Sequence, residues 1–190
     1  FSNIELFNKK NIKSSPFIRE KWLDNGPLLT YTGAFGMING IEYLVDIAEQ
    51  LVLLESDVKI LLIGSGKEYD NIQGYAIQKK VLNRNLFLEH DIAKSELPQL
   101  LALTDLASNI VINVPEVWNN SANKFFDALA SGTPILINGG GWQADLIREN
   151  NAGIVTHSLP IRQAAKKIDK FLHNKSLLKE SSENALNLSK

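Results

Sequence analysis

The stretch Lys59-Ile60-Leu61-Leu62-Ile63-Gly64-Ser65-Gly66 is a continuous apolar run that stops at a pair of glycines. A run of this length with a glycine boundary predicts a strand that is buried on both faces. The run Leu28-Leu29-Thr30-Tyr31-Thr32, which ends at Gly33, has the same form. Between the two runs, apolar residues recur at helical spacing from Ile41 to Val52, so this part of the chain reads as strand, helix, strand.

The same alternation continues to the end of the chain. Further strands are predicted over residues 86–88, 106–111, 134–137 and 153–156, and further helices over residues 68–82, 95–103, 121–131, 142–150 and from 159 onward. Ser95 is expected to cap its helix with Pro98 in the first turn, and Gly132 to close the helix from 121. Apolar strands that alternate with helices predict an α/β fold, a Rossmann-like doubly wound parallel sheet of about six strands over residues 28–190. Residues 1–27 are expected to be a mostly polar lead-in, with a short helix near 16–23.

The composition is that of a soluble globular domain. Of 190 residues, 44% are hydrophobic and 22% are charged, and 20 Lys and Arg against 21 Asp and Glu give a formal net charge of −1. This balance argues against a nucleic-acid partner. The absence of cysteine excludes disulfides, thiolate nucleophiles and Cys-ligated metals, and fits a reducing compartment. No apolar run approaches the roughly 20 residues of a membrane span. Because the chain starts at Phe1 without a signal-peptide pattern, we expect it to be part of a longer protein.

Ligands of open parallel sheets bind beyond the carboxyl ends of the strands. In this chain that rule selects five loops, over residues 33–40, 64–67, 90–94, 114–124 and 138–142. Glycines allow a ligand to approach the backbone closely, and the helix that follows each loop offers free N–H groups to an anion. The five loops together favour a phosphate-bearing ligand. The alternative is that each glycine only makes a tight turn.

Two nucleotide-binding motifs fail at the second of these loops. A phosphate-binding P-loop would need glycine at position 61 and Ser or Thr at position 68, where this chain has Leu61 and Glu68. The dinucleotide fingerprint would need a third glycine at position 69, which is Tyr69. A P-loop ATPase and a nicotinamide or flavin enzyme are therefore poorly supported.

The segment from Ser121 to Pro134 reads as a helix with a polar start and an apolar body. Lys124 stands in its first turn, where the helix dipole disfavours a cation. A bound phosphate would account for this lysine, and Asp127, one turn beyond Asn123, could accept hydrogen bonds from a sugar diol. The alternative is a solvated ion pair between Lys124 and Asp127 on a surface helix.

The segment resembles the carboxyl-terminal domain of retaining glycosyltransferases of family four, which have the GT-B architecture. The resemblance lies in the pattern S-x-N-K-x-x-[DE] from Ser121 to Asp127, followed by L-A-x-G-x-P, as in bacterial surface-polysaccharide transferases. It extends in order and spacing over residues 28–156. The family implies a nucleotide-sugar donor held mostly by this domain and an acceptor, a glycan or a lipid-linked sugar, held by an amino-terminal domain that is expected to be absent here. Residues 1–7 resemble the stretch just after the linker between the two domains.

The resemblance also assigns roles at the donor site. Asp127 would bind the ribose hydroxyls, and Lys124 and Lys67 would neutralise the diphosphate. The backbone at Asp91 and Ile92 would grip the base, for which the family favours uracil. The residues assigned to the donor site are Gly33, Gly36, Gly64, Gly66, Lys67, Asp91, Ile92, Ala122, Asn123, Lys124 and Asp127.

Two positions depart from the family. Many members carry a glutamate at the position of Asn119, where it touches the donor sugar, and many carry a basic residue in the first loop, where Ala34-Phe35-Gly36-Met37 offers none. The diphosphate charge therefore falls more heavily on Lys67 and Lys124. Glu116 is expected to be a solvated loop carboxylate, with a position facing the donor sugar as the alternative. Trp118 and Trp142 either line the donor cleft or pack at loop edges.

The resemblance implies transfer of a sugar from a nucleoside-diphosphate sugar, for which UDP is the expected nucleotide, with retention of configuration and without a metal or other cofactor. No residue reads as a general base: His90 is expected to be structural, and His157 and His173 to lie in a loop and on the surface. We expect a cytoplasmic protein, peripheral to the membrane if the acceptor is lipid-linked, and little activity from this domain alone. The alternatives are a GT-B nucleotide-sugar epimerase and a non-catalytic α/β binding module.

Overall fold

The computed structural model describes residues 26–120 and 122–190. Residues 1–25 lie outside the described part, and with them the helix predicted near residues 16–23 and the resemblance drawn for residues 1–7. Ser121 lies outside it too.

Within these described residues, six strands form one all-parallel sheet. They are β1 (Leu28–Thr32), β2 (Lys59–Ile63), β3 (Leu86–Glu89), β4 (Leu106–Asn109), β5 (Ile135–Ile137) and β6 (Gly153–Val155). Their order across the sheet is β3-β2-β1-β4-β5-β6, and every pair of neighbours is parallel. The strand order reverses between β1 and β4, which places the topological switch point at the middle of the sheet.

Seven α-helices cover the sheet within the described ranges. They are α1 (Glu42–Leu53), α2 (Tyr69–Gln78), α3 (Leu97–Leu103), α4 (Asn123–Ala130), α5 (Trp142–Glu149), α6 (Ile161–Leu172) and α7 (Lys175–Leu188). In the described part of the chain, none of them is long and apolar enough to cross a membrane.

Successive residues of the central strands face opposite layers of helices. Leu29 and Leu62 pack in a core with residues of α1, α2 and α6. Leu28 and Leu61 point the other way, into a smaller cluster with Leu100 of α3. A third cluster joins α4, α5 and α7 to the far end of the sheet. Both faces are therefore covered, which confirms the doubly wound fold predicted from the continuous apolar strands.

The predicted bounds of β1 and β2 are those observed, whereas several helices differ from their predicted ends by one to four residues. The prediction of a helix to residue 82 is wrong, because α2 ends at Gln78 and the backbone turns at Lys80 and Asn83, which have positive φ. The prediction that Ser95 caps α3 is also wrong. Glu96 is the residue at the cap, and its carboxylate accepts a hydrogen bond from the Ala93 N–H in the turn before the helix.

The fourth strand ends at Asn109 and not at the predicted residue 111, because the side chain of Asn138 pairs with the backbone of Val111 in place of a neighbouring strand. Beyond Asn109, the Val111 N–H donates to Asn138 Oδ1 at 2.9 Å, and Asn138 Nδ2 donates to the Val111 carbonyl at 2.8 Å. The carboxamide satisfies the backbone groups that a longer strand would have paired. The chain then leaves the sheet as a loop over residues 110–120.

Candidate functional site

The first two glycine turns are joined backbone to backbone at the carboxyl edge of β1 and β2. The Gly33 N–H donates to the Ile63 carbonyl at 3.0 Å, and the Phe35 N–H donates to the Ser65 carbonyl at 2.7 Å. A Cβ added at Gly64 would overlap the carbonyl oxygen of Gly33, and one added at Gly66 would overlap that of Phe35. These glycines therefore do more than make tight turns, since each allows two loops to touch.

Lys124 extends from the first turn of α4 to the first glycine turn. Its Nζ lies 4.0 Å from the centroid of the Tyr31 ring. A Cβ added at Gly33 would lie 3.2 Å from the same nitrogen. Burial lowers the pKa of Lys124 to about 8. Lys124 is therefore not the solvated surface lysine of the alternative interpretation, because its charged end is packed against the end of β1.

The start of α4 lies beside this lysine. Ala122 precedes the helix in an extended conformation, with φ of −90° and ψ of 134°, and Asn123 is exposed. The first N–H groups of a helix have no partner within it, so this end of α4 presents donors near a cation. Asp127 lies one turn further along, half-buried and already in an interaction within the chain.

The remaining predicted site residues lie at the ends of β2 and β3. Lys67 is exposed in the second glycine turn, and Asp91 is exposed just after β3. Ile92 is partly buried against the small cluster under α3. Gly36 begins the short 3₁₀ turn Met37–Asn39 in the first loop. All of the predicted residues therefore follow β1, β2, β3 or β4 at one edge of the sheet, but only Lys124, Gly33, Gly64 and Gly66 are part of the contacts described above.

A series of aromatic rings lies under these loops. Phe35 is fully buried and stacks on Tyr69 with a centroid distance of 5.3 Å. Tyr69 stacks in turn on His90 at 4.7 Å. His90 thus has a packing contact although the residue is exposed, and its structural role stays a prediction.

The loop over residues 110–120 is held by the turn that follows β5. The Trp118 ring covers Gly139 and Gly140, where an added Cβ would lie 2.9 Å and 2.8 Å from its atoms. Gln143 Nε2 donates to the Asn120 carbonyl at 3.1 Å. Asn119, where many family members carry glutamate, places its Oδ1 3.1 Å from a Cβ added at Gly141.

The other loop residues behave as packing or surface groups. Glu116 is exposed in a 3₁₀ turn. Trp118 contacts His157 edge to face at 4.7 Å, and Trp142 is 40% exposed beside Phe126. The structure thus favours packing at the loop edges for Trp118.

His173 is far from this edge of the sheet. It is exposed at the end of α6, as predicted, and its Nε2 lies 2.8 Å from Asp57 Oδ1 near the amino end of β2. Its bond to the Asp169 carbonyl and its contact with Asp57 raise the pKa of His173. Over residues 26–120 and 122–190, no group of three or more His, Asp and Glu side chains is placed to hold a metal ion.

Sequence reasoning missed the two side chains that organise the site. Tyr31 is a strand residue with no exposed surface, and nothing in its pattern distinguishes it from an ordinary core aromatic. Asn138 follows β5 directly, and a carboxamide at the end of a buried strand was a signal that the interpretation did not use.

The sequence is similar to those of known glycosyltransferases. A family model described as glycosyl transferases group 1 matches residues 14–188. An uncharacterized glycosyltransferase of Methanocaldococcus jannaschii is 25% identical over 131 residues, which cover 69% of this chain and 32% of that protein. The alpha-D-kanosaminyltransferase of Streptomyces kanamyceticus is 20% identical over 172 residues, covering 88% and 42%. The chain thus spans less than half the length of either relative.

The fold agrees with a solved structure. The Anabaena protein HepE in complex with UDP superposes with a TM-score of 0.79 at 17% identity. The superposition covers 99% of this chain and 50% of that one.

Proposed function

The chain belongs to the group 1 glycosyl transferases, and from that premise we propose that it is the donor-binding domain of a retaining glycosyltransferase. The donor in this proposal is a nucleoside-diphosphate sugar with uracil as the base. The acceptor is a glycan or a lipid-linked sugar in polysaccharide or lipopolysaccharide synthesis, and a second domain of the full-length enzyme binds it.

The observation that carries the proposal is the position of the Lys124 ammonium. It lies against Gly33 at the end of β1, beside the switch point of the sheet. This is where open α/β sheets bind their ligands. The cation and the N-terminus of α4 together provide positive charge and N–H donors for a diphosphate.

The positive charge of Lys124 and of the start of α4 would assist departure of the nucleoside diphosphate. In the transfer, the bond between the sugar and the diphosphate breaks, the acceptor oxygen bonds to the sugar and gives up its proton, and the departing nucleoside diphosphate gains one negative charge. A cation and helix donors that are fixed before the reaction stabilise that charge without reorganising at the moment of bond cleavage. Asp127 accepts hydrogen bonds from the ribose, and Lys67 adds a second cation from the neighbouring turn. In this proposal no metal ion is needed.

The proposal is tested by calorimetric titration of the chain with UDP, GDP, ADP and NAD, with and without magnesium. We expect UDP to bind most tightly, with the same affinity in both conditions. Asp127→Asn and Lys124→Met are each expected to weaken UDP binding by about tenfold, since each removes one charged contact. Glu116→Gln, an exposed carboxylate of the neighbouring loop, is the matched control. Preference for NAD, or unchanged UDP affinity in both variants, would contradict the proposal.

A further inference from the structure

Tyr31 makes two contacts that reach beyond the core. One face of its fully buried ring lies under the Lys124 ammonium, 4.0 Å from the ring centroid. Its hydroxyl donates to the Ala34 carbonyl at 2.7 Å, in the first glycine turn. A single side chain of β1 thus touches both the first loop and the lysine that comes from α4.

The backbone of Gly33 also lies close to the end of the Lys124 side chain. An added Cβ at this position would lie 3.2 Å from Lys124 Nζ and 3.3 Å from Cε, closer than most side chains tolerate. The end of the lysine is therefore confined between the face of an aromatic ring and the backbone of the first turn. The ring cannot itself meet a ligand, because it has no exposed surface.

We propose that Tyr31 is a positioning residue for the donor diphosphate, and that its ring holds the Lys124 ammonium beside Gly33 so that a phosphate meets the cation already in place. This inference rests on the proposed function and adds a residue to it. Lys124 takes the place of the basic side chain that the first loop lacks, because its ammonium reaches that loop from α4.

The pKa values of Lys124 and Tyr31 agree with this geometry. Burial lowers the pKa of Lys124 to about 8 and raises that of Tyr31, which is therefore neutral. The first loop from Gly33 to Gly36 has no ionisable side chain, Lys67 of the second turn is exposed, and Asp127 lies one turn along the same helix. A phosphate favours the charged amine, so UDP binding is expected to take up a proton and to weaken as the pH rises above about 8.

A double-mutant cycle with UDP as the probe separates positioning from a purely structural role. Tyr31→Phe keeps the ring and is expected to change the affinity by no more than about twofold, whereas Tyr31→Leu removes the ring and is expected to weaken binding about tenfold. In a Lys124→Met background, Tyr31→Leu is expected to cost less than about twofold more, because the side chain that it positions is gone.

Tyr75→Leu is the matched control. It also removes an aromatic ring near a lysine, since Lys79 Nζ lies 5.4 Å from the Tyr75 centroid, but this pair contacts Asp46 of α1 rather than the glycine turns. We expect its UDP affinity to equal that of the unchanged chain. Equal losses in Tyr31→Phe and Tyr31→Leu, or additive losses of Tyr31→Leu and Lys124→Met, would overturn the inference.

A measurement without ligand tests the contact between Lys124 and Tyr31 directly, so that the test does not depend on a variant that folds poorly. NMR of lysine Cε and Hε groups is expected to show Lys124 shifted upfield by the ring and titrating near pH 8. Tyr31→Phe should retain both properties. If Lys124 has neither in the unchanged chain, the inference is overturned even where UDP binds. If Lys124 has both but the unchanged chain binds no UDP, the proposed function fails, and the role of Tyr31 in donor binding fails with it.

Discussion

Lys124 carries its charge in the first turn of α4, where the positive end of the helix dipole disfavours it. Its side chain is also partly buried, and its ammonium lies on the Tyr31 ring. Both features cost stability in the absence of a ligand, and a ring face recovers only about 1–2 kcal/mol of such a cost. Residues kept in unfavourable surroundings are typical of functional sites. The local conflict at this residue is consistent with its proposed role.

Lys124→Met is expected to raise the free energy of unfolding at pH 7 by about 1–2 kcal/mol, because it removes a partly buried cation and keeps the packing. The penalty of the wild-type lysine is fully present below its folded pKa of about 8 and disappears as the pH approaches 10.5, its ordinary value. The stability of the unchanged chain relative to the variant should therefore rise over that range.

Urea unfolding of both chains between pH 7 and pH 10 measures the difference. Lys166→Met, a lysine on the exposed side of α6, is the control and should shift stability little at any pH. A Lys124→Met chain that is less stable at pH 7, with a difference that does not change with pH, would show that the lysine is not buried as described.

At the scale of the elements, the site depends on the contact between the first two glycine turns. Three backbone hydrogen bonds join them, from Gly33 to Ile63, from Phe35 to Ser65 and from Glu68 to Phe35. The glycines allow the carbonyl of one turn to lie where a side chain of the other would be. The ends of β1 and β2 are thus fixed relative to each other before any ligand binds.

Gly64→Ala is expected to lower the free energy of unfolding by about 3 kcal/mol or more, because its Cβ would overlap the Gly33 carbonyl and the backbone would have to move. Gly74→Ala is the matched control, since no atom lies within 4 Å of its added Cβ in the middle of α2. The control should raise stability by about 0.5–1 kcal/mol through helix propensity. Thermal unfolding of the two variants measures both effects, and equal stabilities would show that the turns do not touch.

For the whole molecule, strand order explains how distant residues meet. Lys124 follows β4 in the chain, and β4 lies directly beside β1 in the sheet. The helix after β4 therefore starts next to the turn after β1, although the two are about 90 residues apart in the sequence. The switch point thus brings Lys124 and Gly33 together, two of the residues that the sequence places at one edge of the sheet.

Much of this architecture is readable from the sequence. Continuous apolar runs bounded by glycine predict β1 and β2 residue for residue, because their pattern is set by burial on both faces. The end of β4 cannot be predicted in that way, since it depends on the carboxamide of Asn138, which lies 27 positions after its partner Val111. Likewise the polar start of α4 singles out Lys124, but no local pattern shows that its ammonium lies on Tyr31. That contact arises only because β4, which precedes α4, pairs with β1 in the sheet.

The location of the site is tested most directly by mapping the backbone amide NMR shifts of the chain on addition of UDP. We expect the largest changes at the carboxyl edge, in residues 33–36, 64–67, 90–92 and 122–127. Amides at the opposite edge, around Ser56 and His173, should not move. Changes confined to that opposite edge, or spread evenly over the chain at millimolar UDP, would contradict the assignment of this domain to nucleotide-sugar binding.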